Sequence, residues 1–252
     1  IYDSQRIDNP PASLEDLTAE SYEDSLILMD PRTSTPGLGF VLWTYAVYGE
    51  DYADYWEGLK PSILTVTEGW DAGYGLFTSG EAPFVLSYTT SPAYHVEYED
   101  STRFQAAIFP EGHYMQIEGL GIVKGAPNRS AARKFIDFMI SEEAQEEIPL
   151  TNWMYPVHPD VQLPDSYEYA PIPDNKLMLD SSTLQKREEE ILELSGVPYV
   201  YWKGDEYRAS RIVINLETDE ILLEGEVEGT VVTEEESEEE TEEPGEPARR
   251  AE

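Results

Sequence analysis

Cysteine is absent from the 252 residues, so a disulfide framework, a thiolate metal site and a thiol nucleophile are all excluded. Basic side chains are scarce: 16 Lys and Arg stand against 52 Asp and Glu, giving a formal net charge of −36. Recognition of a phosphate backbone needs clustered cations, and the sequence contains no such cluster, so no nucleic-acid partner is expected. The 3 histidines, His95, His113 and His158, are too scattered for a metal-ligand spacing, and no metal is expected. No apolar run approaches the roughly 18 residues of a membrane span, and no secretory leader is visible. The sequence also lacks a G-x-S-x-G elbow, a P-loop and a G-x-G-x-x-G turn. Glutamates this abundant on a surface are mostly solvated, so they do not by themselves suggest acid–base chemistry, and no enzymatic activity is expected.

What is present is an apolar content of 40%, enough to bury a core in a chain of this length. The acidity is not confined to the tail. Residues 192–252 hold 19 of the acidic and 5 of the basic residues, which leaves net −22 in the body before them. A carboxylate-rich, lysine-poor surface suits concentrated salt, so a salt-adapted source is expected, with stability that rises with NaCl. The chain opens on Ile1 in Ile1-Tyr-Asp-Ser-Gln-Arg6, which reads like the exit of a strand, and an upstream segment is expected to have been removed.

Residues 1–127 alternate short strands and helices, the pattern of an α/β layer architecture. Leu26–Met29 reads as a buried strand. After it, Asp30-Pro-Arg-Thr-Ser-Thr-Pro-Gly37 offers Ser34 or Thr35 as a helix cap with Pro36 in the first turn. That helix runs through Phe40, Val41, Trp43, Thr44 and Val47 and ends near Gly49. A strand over Ile63–Thr67 follows, then a short helix from Trp70 that stops at Gly80, and strands over Phe84–Ser87, Ala106–Phe109 and Tyr114–Val123. From a Ser130 cap to about Glu147, apolar residues at three- and four-residue spacing predict one long helix. A Pro-rich loop over Asn152–Pro173 and a Glu-rich helix over Ser182–Leu194 come next.

From about Ser195 the pattern becomes β-rich, with strands over Tyr199–Lys203, Arg208–Leu216 and Glu220–Val232 and a hairpin connection at Glu217-Thr-Asp-Glu220. Residues 233–252 are dominated by Glu and should be disordered. Asn128-Arg-Ser130 matches a glycosylation sequon and reads as a turn and helix cap.

Four aromatic residues sit at turn signals rather than inside periodic apolar runs: Trp70, Tyr88, Tyr94 and Trp153. Rings in such places either plug the ends of a core or face a ligand. Among many carboxylates, the ligand they suit is a flat organic cation. Ser34, Thr35 and Gly37 leave backbone N–H groups free at a helix N-terminus, where an oxygen or anion is favoured and where Gly37 would let a ligand approach closely. An ordinary helix cap accounts for the same residues.

Asp30–Gly39, Val66–Trp70, Leu86–His95, Glu111–Gln116 and Ile148–Pro156, five segments in the right order, closely resemble the periplasmic thiamine-binding proteins of bacterial ABC importers. The resemblance covers about residues 1–190 and corresponds to the later part of that family's chain. It implies a type II, two-lobed α/β receptor that closes on thiamine or its phosphate esters. It further implies delivery to an inner-membrane ABC permease by a monomer that holds no cofactor and is periplasmic or lipid-tethered. It also assigns Trp70, Tyr88, Tyr94 and Trp153 to an aromatic enclosure and Ser34 to the hydroxyethyl or phosphate end of the ligand.

On this reading residues 1–127 form the second lobe and 128–194 the carboxy-terminal part of the first. The amino-terminal part of the first lobe is missing, so the isolated chain is expected to bind thiamine weakly or not at all. Submicromolar affinity would overturn that expectation. Residues 195–232 are a β-rich addition, and Ala209–Gly229 resembles one repeat of the OstA-like envelope proteins. A receptor for another small cation or phosphate ester is the nearest rival within the class. An envelope scaffold or lipid-handling protein acting through residues 195–252 is the rival outside it, and deletion of that region separates the two.

Overall fold

A computed structural model describes residues 1–181, 183 and 184, together with the strands that lie within 199–230. The chain divides into two compact units, Ile1–Lys186 and Arg187–Glu252.

The first unit is built on β2 (Leu26–Met29), which is buried along its whole length because both of its faces are covered. Leu26 and Leu28 point into one apolar cluster, with Tyr2, Phe40, Tyr55, Leu59, Phe84 and Phe109. Ile27 and Met29 point into a second, with Tyr74, Phe77, Val85 and Phe104. The alternation follows from the two-residue period of a strand, and a strand apolar on both faces is the mark of a sheet covered by helices on each side.

β3 (Ile63–Thr67) and β4 (Phe84–Val85) pair in parallel with β2, while β1 (Tyr2–Asp3) lies antiparallel to both β4 and β5 (Phe104–Gln105). The sheet order is β3-β2-β4-β1-β5. One cluster is covered by α1 (Thr35–Tyr48) and α2 (Tyr52–Leu59), the other by α3 (Trp70–Thr78). At the antiparallel edge Arg103 donates to both carboxylate oxygens of the buried Asp3, at 2.9 and 2.6 Å. This pair holds the Asp3 carboxyl below its ordinary range.

α1 leaves the sheet where the sequence predicts and stops at Gly49, whose φ of 59° only glycine adopts freely. α4 (Ser91–Glu99) follows β4 directly. The predicted strand over Tyr114–Val123 is reduced to β6 (His113–Tyr114), which pairs with β7 (Lys176–Leu177). Beyond it Ile117, Leu120 and Val123 are exposed. Apolar β-formers alone do not make a strand, because each backbone group needs a paired neighbour. The predicted strand over Ala106–Phe109 shifts to β5 for the same reason: residues 104 and 105 face β1.

The long helix predicted from Ser130 is two helices, α5 (Arg129–Met139) and α6 (Glu142–Thr151). Asn128, not Ser130, caps the first by accepting from the Ala131 amide, and Ser141 caps the second through the Ala144 amide. A second capping residue in mid-run is the local signal that divides the apolar stripe.

In the second unit β10 (Arg211–Asn215) pairs antiparallel with β11 (Glu220–Glu224), and β9 (Asp205–Arg208) lies between β8 (Tyr199–Trp202) and β12 (Glu228–Thr230). Residues 217–219 of the predicted hairpin connection, most of the predicted helix over Ser182–Leu194 and the acidic tail over 233–252 lie outside the described residues.

Candidate functional site

The carboxyl ends of the three parallel strands β3, β2 and β4 deliver the chain to three helix N-termini. β2 leads through Asp30 to α1, β3 through Gly69 to α3, and β4 through Leu86–Thr90 to α4. Open α/β sheets bind ligands in the crevice outside such strand ends. The exits are tied together: Asp30 donates its amide to Thr67 O at 2.8 Å, Thr33 Oγ1 to Glu68 O at 2.6 Å, and Trp70 Nε1 to Ser87 Oγ at 2.8 Å.

Ser34 occupies the N-cap position of α1, yet its hydroxyl caps nothing. The residue is buried and Oγ meets no hydrogen-bond partner within the described residues, so the ordinary-cap reading of this serine does not hold. A buried polar atom without a partner is rare and destabilising by about 1–3 kcal/mol, which marks a place where a partner is wanted. Thr35 is exposed at the first helical position. Gly37 serves a different purpose from the one its sequence context suggests. A Cβ there would lie 2.4 Å from Met29 O and 2.9 Å from Asp30 O, so the missing side chain admits the end of β2 against α1.

Trp70 begins α3 and stacks on Tyr74 at 4.5 Å and 18°. Tyr74 in turn stacks on His95 at 5.9 Å and bonds its Nε2 at 2.9 Å, while His95 Nδ1 meets Glu99 at 2.7 Å. His95 is thus a buried linker between rings, in line with the packing or hydrogen-bonding role that its place in the sequence suggests. Tyr94 meets His95 edge-on at 5.2 Å and Trp153 edge-on at 5.2 Å, and Tyr98 also meets Trp153, at 5.6 Å. A continuous run of ring contacts therefore joins Trp70 to Trp153, residues 83 positions apart. Tyr94 lies within α4 rather than in a loop.

Tyr88 stands outside this run. Burial raises the pKa of its hydroxyl. Tyr88 is 36% and Tyr94 40% exposed, so neither plugs the core.

Trp153 has φ 54°, a conformation unfavourable for a bulky residue. The loop that holds it is clamped on both sides. Gln145 of α6 accepts from Val157 N at 2.7 Å, and Tyr167 donates to Pro149 O at 2.8 Å while packing with Ala93 of α4. Sequence reasoning overlooked Tyr74 and Tyr98. Both were signalled, since each lies four positions after a ring that had been singled out, the spacing that places two side chains on one helix face.

An apolar cavity of about 70 Å³ between α1 and the sheet, lined by residues including Phe40, Trp43 and Phe109, touches none of the four predicted rings. Among the described residues no group of three or more His, Asp and Glu could hold a metal ion, and no helix is long and apolar enough to cross a membrane.

The profile of the family described as bacterial extracellular solute-binding protein matches residues 15–146. The chain belongs to that family. Within the solute-binding family it is similar to the thiamine-binding periplasmic protein of Brucella melitensis, 44% identical over 180 residues that cover 71% of this chain and 54% of the relative. It is also 44% identical to the thiamine-binding periplasmic protein of Escherichia coli, over 76% of this chain and 56% of the relative. A solved periplasmic thiamin binding protein superimposes with a TM-score of 0.72 at 42% identity, covering 75% of this chain and 59% of that one. The fold of the first unit is accordingly that of a type II periplasmic binding protein. The chain spans about half the length of the curated relatives it matches.

Proposed function

We propose that the protein is the receptor of an ABC importer that captures thiamine or a thiamine phosphate outside the cytoplasm and hands it to a membrane permease. It acts by lobe closure, as a monomer and without bond chemistry, metal or cofactor. Residues 1–127 contribute one lobe and 128–194 part of the other. The observation that carries this reading is the run of ring contacts from Trp70 to Trp153, set where three parallel strands end in helix N-termini. The names of the relatives support it as well.

Thiamine joins a permanently charged thiazolium to an aminopyrimidine, so ring faces offer it both stacking area and cation–π attraction, each desolvated contact contributing about 2 kcal/mol. The unpartnered Ser34 hydroxyl and the α1 N-terminus suit the oxygen-bearing end of the same molecule.

Intrinsic fluorescence tests this directly. Thiamine should quench the indole emission saturably, and Trp70→Ala and Trp153→Ala should each weaken binding on the order of 30-fold, the size of one lost cation–π contact. Emission that falls linearly with ligand, or variants that titrate like the parent chain, would defeat the reading. The Ser34 hydroxyl also favours a second ligand class, phosphate esters without a cationic ring. Binding of such an ester that survives Trp70→Ala would favour that alternative.

A further inference from the structure

The carboxylates around the rings differ in what they are bonded to. Asp30 is paired with Arg32 at 2.6 Å, and Glu99 is held by His95 at 2.7 Å. Glu118 forms no ion pair among the described residues. Its Oε2 accepts a hydrogen bond from the neutral amide of Asn152 at 3.2 Å, the residue immediately before Trp153. Burial first, and then the Glu118 charge, raise the pKa of the Tyr88 hydroxyl. Glu118 thus bears on the one ring of the four that lies outside the run of contacts and is bonded to the residue before Trp153.

From this placement we propose that Glu118 is the counter-charge of the site. It selects a cationic ring over a neutral ring of the same shape, while its bond to Asn152 keeps the carboxylate directed at the ligand. The proposal rests on the thiamine reading and deepens it by separating what the rings do from what the charge does. Stacking accepts any flat heterocycle, whereas an uncompensated carboxylate at the rim accepts only one that brings a positive charge. Asp30 has the Arg32 guanidinium beside it and Glu99 has the His95 imidazole, whereas Glu118 meets the neutral Asn152 amide.

Glu118→Gln keeps the shape and an acceptor for Asn152 and removes the charge. Titrations of the whole chain up to millimolar concentrations of two ligands test it: thiamine, and a neutral analogue in which a carbon replaces the thiazolium nitrogen. Glu118→Gln should weaken thiamine on the order of tenfold, the effect of one partly screened charge pair, and leave the neutral analogue within about twofold. The thiamine affinity of the parent should fall with added NaCl more steeply than that of the variant. An equal loss for both ligands would show Glu118 to be a positioning residue for Trp153 and would overturn the proposal, as would no change for either. If the unmutated chain bound the neutral analogue but preferred it to thiamine, the receptor reading would fail, whatever the variant did. Matching circular dichroism and thermal midpoints exclude misfolding as the cause.

Discussion

α1 and α5 are both helices with apolar residues, and they end in opposite circumstances. α1 buries Gly37, Phe40, Val41 and Thr44 against the sheet, while Trp43 and Trp56 are fixed by hydrogen bonds to Gly112 O and Thr44 Oγ1. α5 has the sharper apolar stripe of the two and buries nothing: Phe135 and Phe138 are about half exposed, and Ile140 beyond its end likewise. A stripe states what a helix would bury, and only a facing surface decides whether it does. Among the described residues α6 meets α5 yet buries none of its side chains.

The most forceful way to break this comparison is to remove one ring from each region. Phe40, buried on the sheet face of α1, should cost about 3–5 kcal/mol on replacement by Ala, since both transfer energy and cavity are lost. Phe135→Ala in α5 should fall within about 0.5 kcal/mol of the parent. Urea unfolding of both variants checks the pair, and equal losses would mean that α5 is covered in solution.

Glycines sharpen the same contrast within α1. Gly37→Ala drives a methyl group into the backbone of Met29 and Asp30 and should cost about 1–3 kcal/mol. Gly39→Ala meets nothing within 4 Å and, in a helix interior, should stabilise by about 0.4–1 kcal/mol. Thermal midpoints moving in opposite directions are the expected result. If Gly37→Ala were neutral, the close approach of α1 to β2 would be wrong.

Acid should loosen the sheet region first. His113 packs between Trp43 and Phe109, and its Nε2 accepts the Phe109 amide at 2.8 Å, so the folded state holds it neutral. Burial lowers its pKa from 6.5 to about 4. Between these values the unfolded chain binds more protons than the folded one, so the contribution is present above pH 6.5 and is lost as pH falls toward 4. His113→Gln should flatten the stability profile across that window. An unchanged profile would remove His113 from the account.

The parts legible in the sequence were those in which local chemistry and tertiary partner agree. β2, α1, β3 and α3 announced themselves because each carries its own period and a capping or breaking residue, and each finds the sheet beside it. Tyr114–Val123 and the division of α5 from α6 were not legible for two separate reasons. The first depends on which strand edge is available, and the second on a single serine competing for the backbone. In the candidate site, the four rings stood out by residue type and flanking turns, whereas the helix–strand contact at Gly37 was hidden because it depends on the approach of β2. Glu118 was invisible among 52 carboxylates, because nothing in sequence distinguishes an unpaired charge from a paired one.

The smallest effect concerns what the exposed stripe does in solution. Replacing Phe135 and Phe138 together by Ser removes most of the α5 apolar face without touching a buried contact. Stability should change by no more than about 0.5 kcal/mol for each substitution, while binding of a hydrophobic dye and any concentration-dependent association should decline, because the patch that drives both is gone. A loss of stability well beyond that, growing with protein concentration, would mean that α5 is buried against a second copy of the chain. The contrast between α1 and α5 would then be one between an internal partner and an external one.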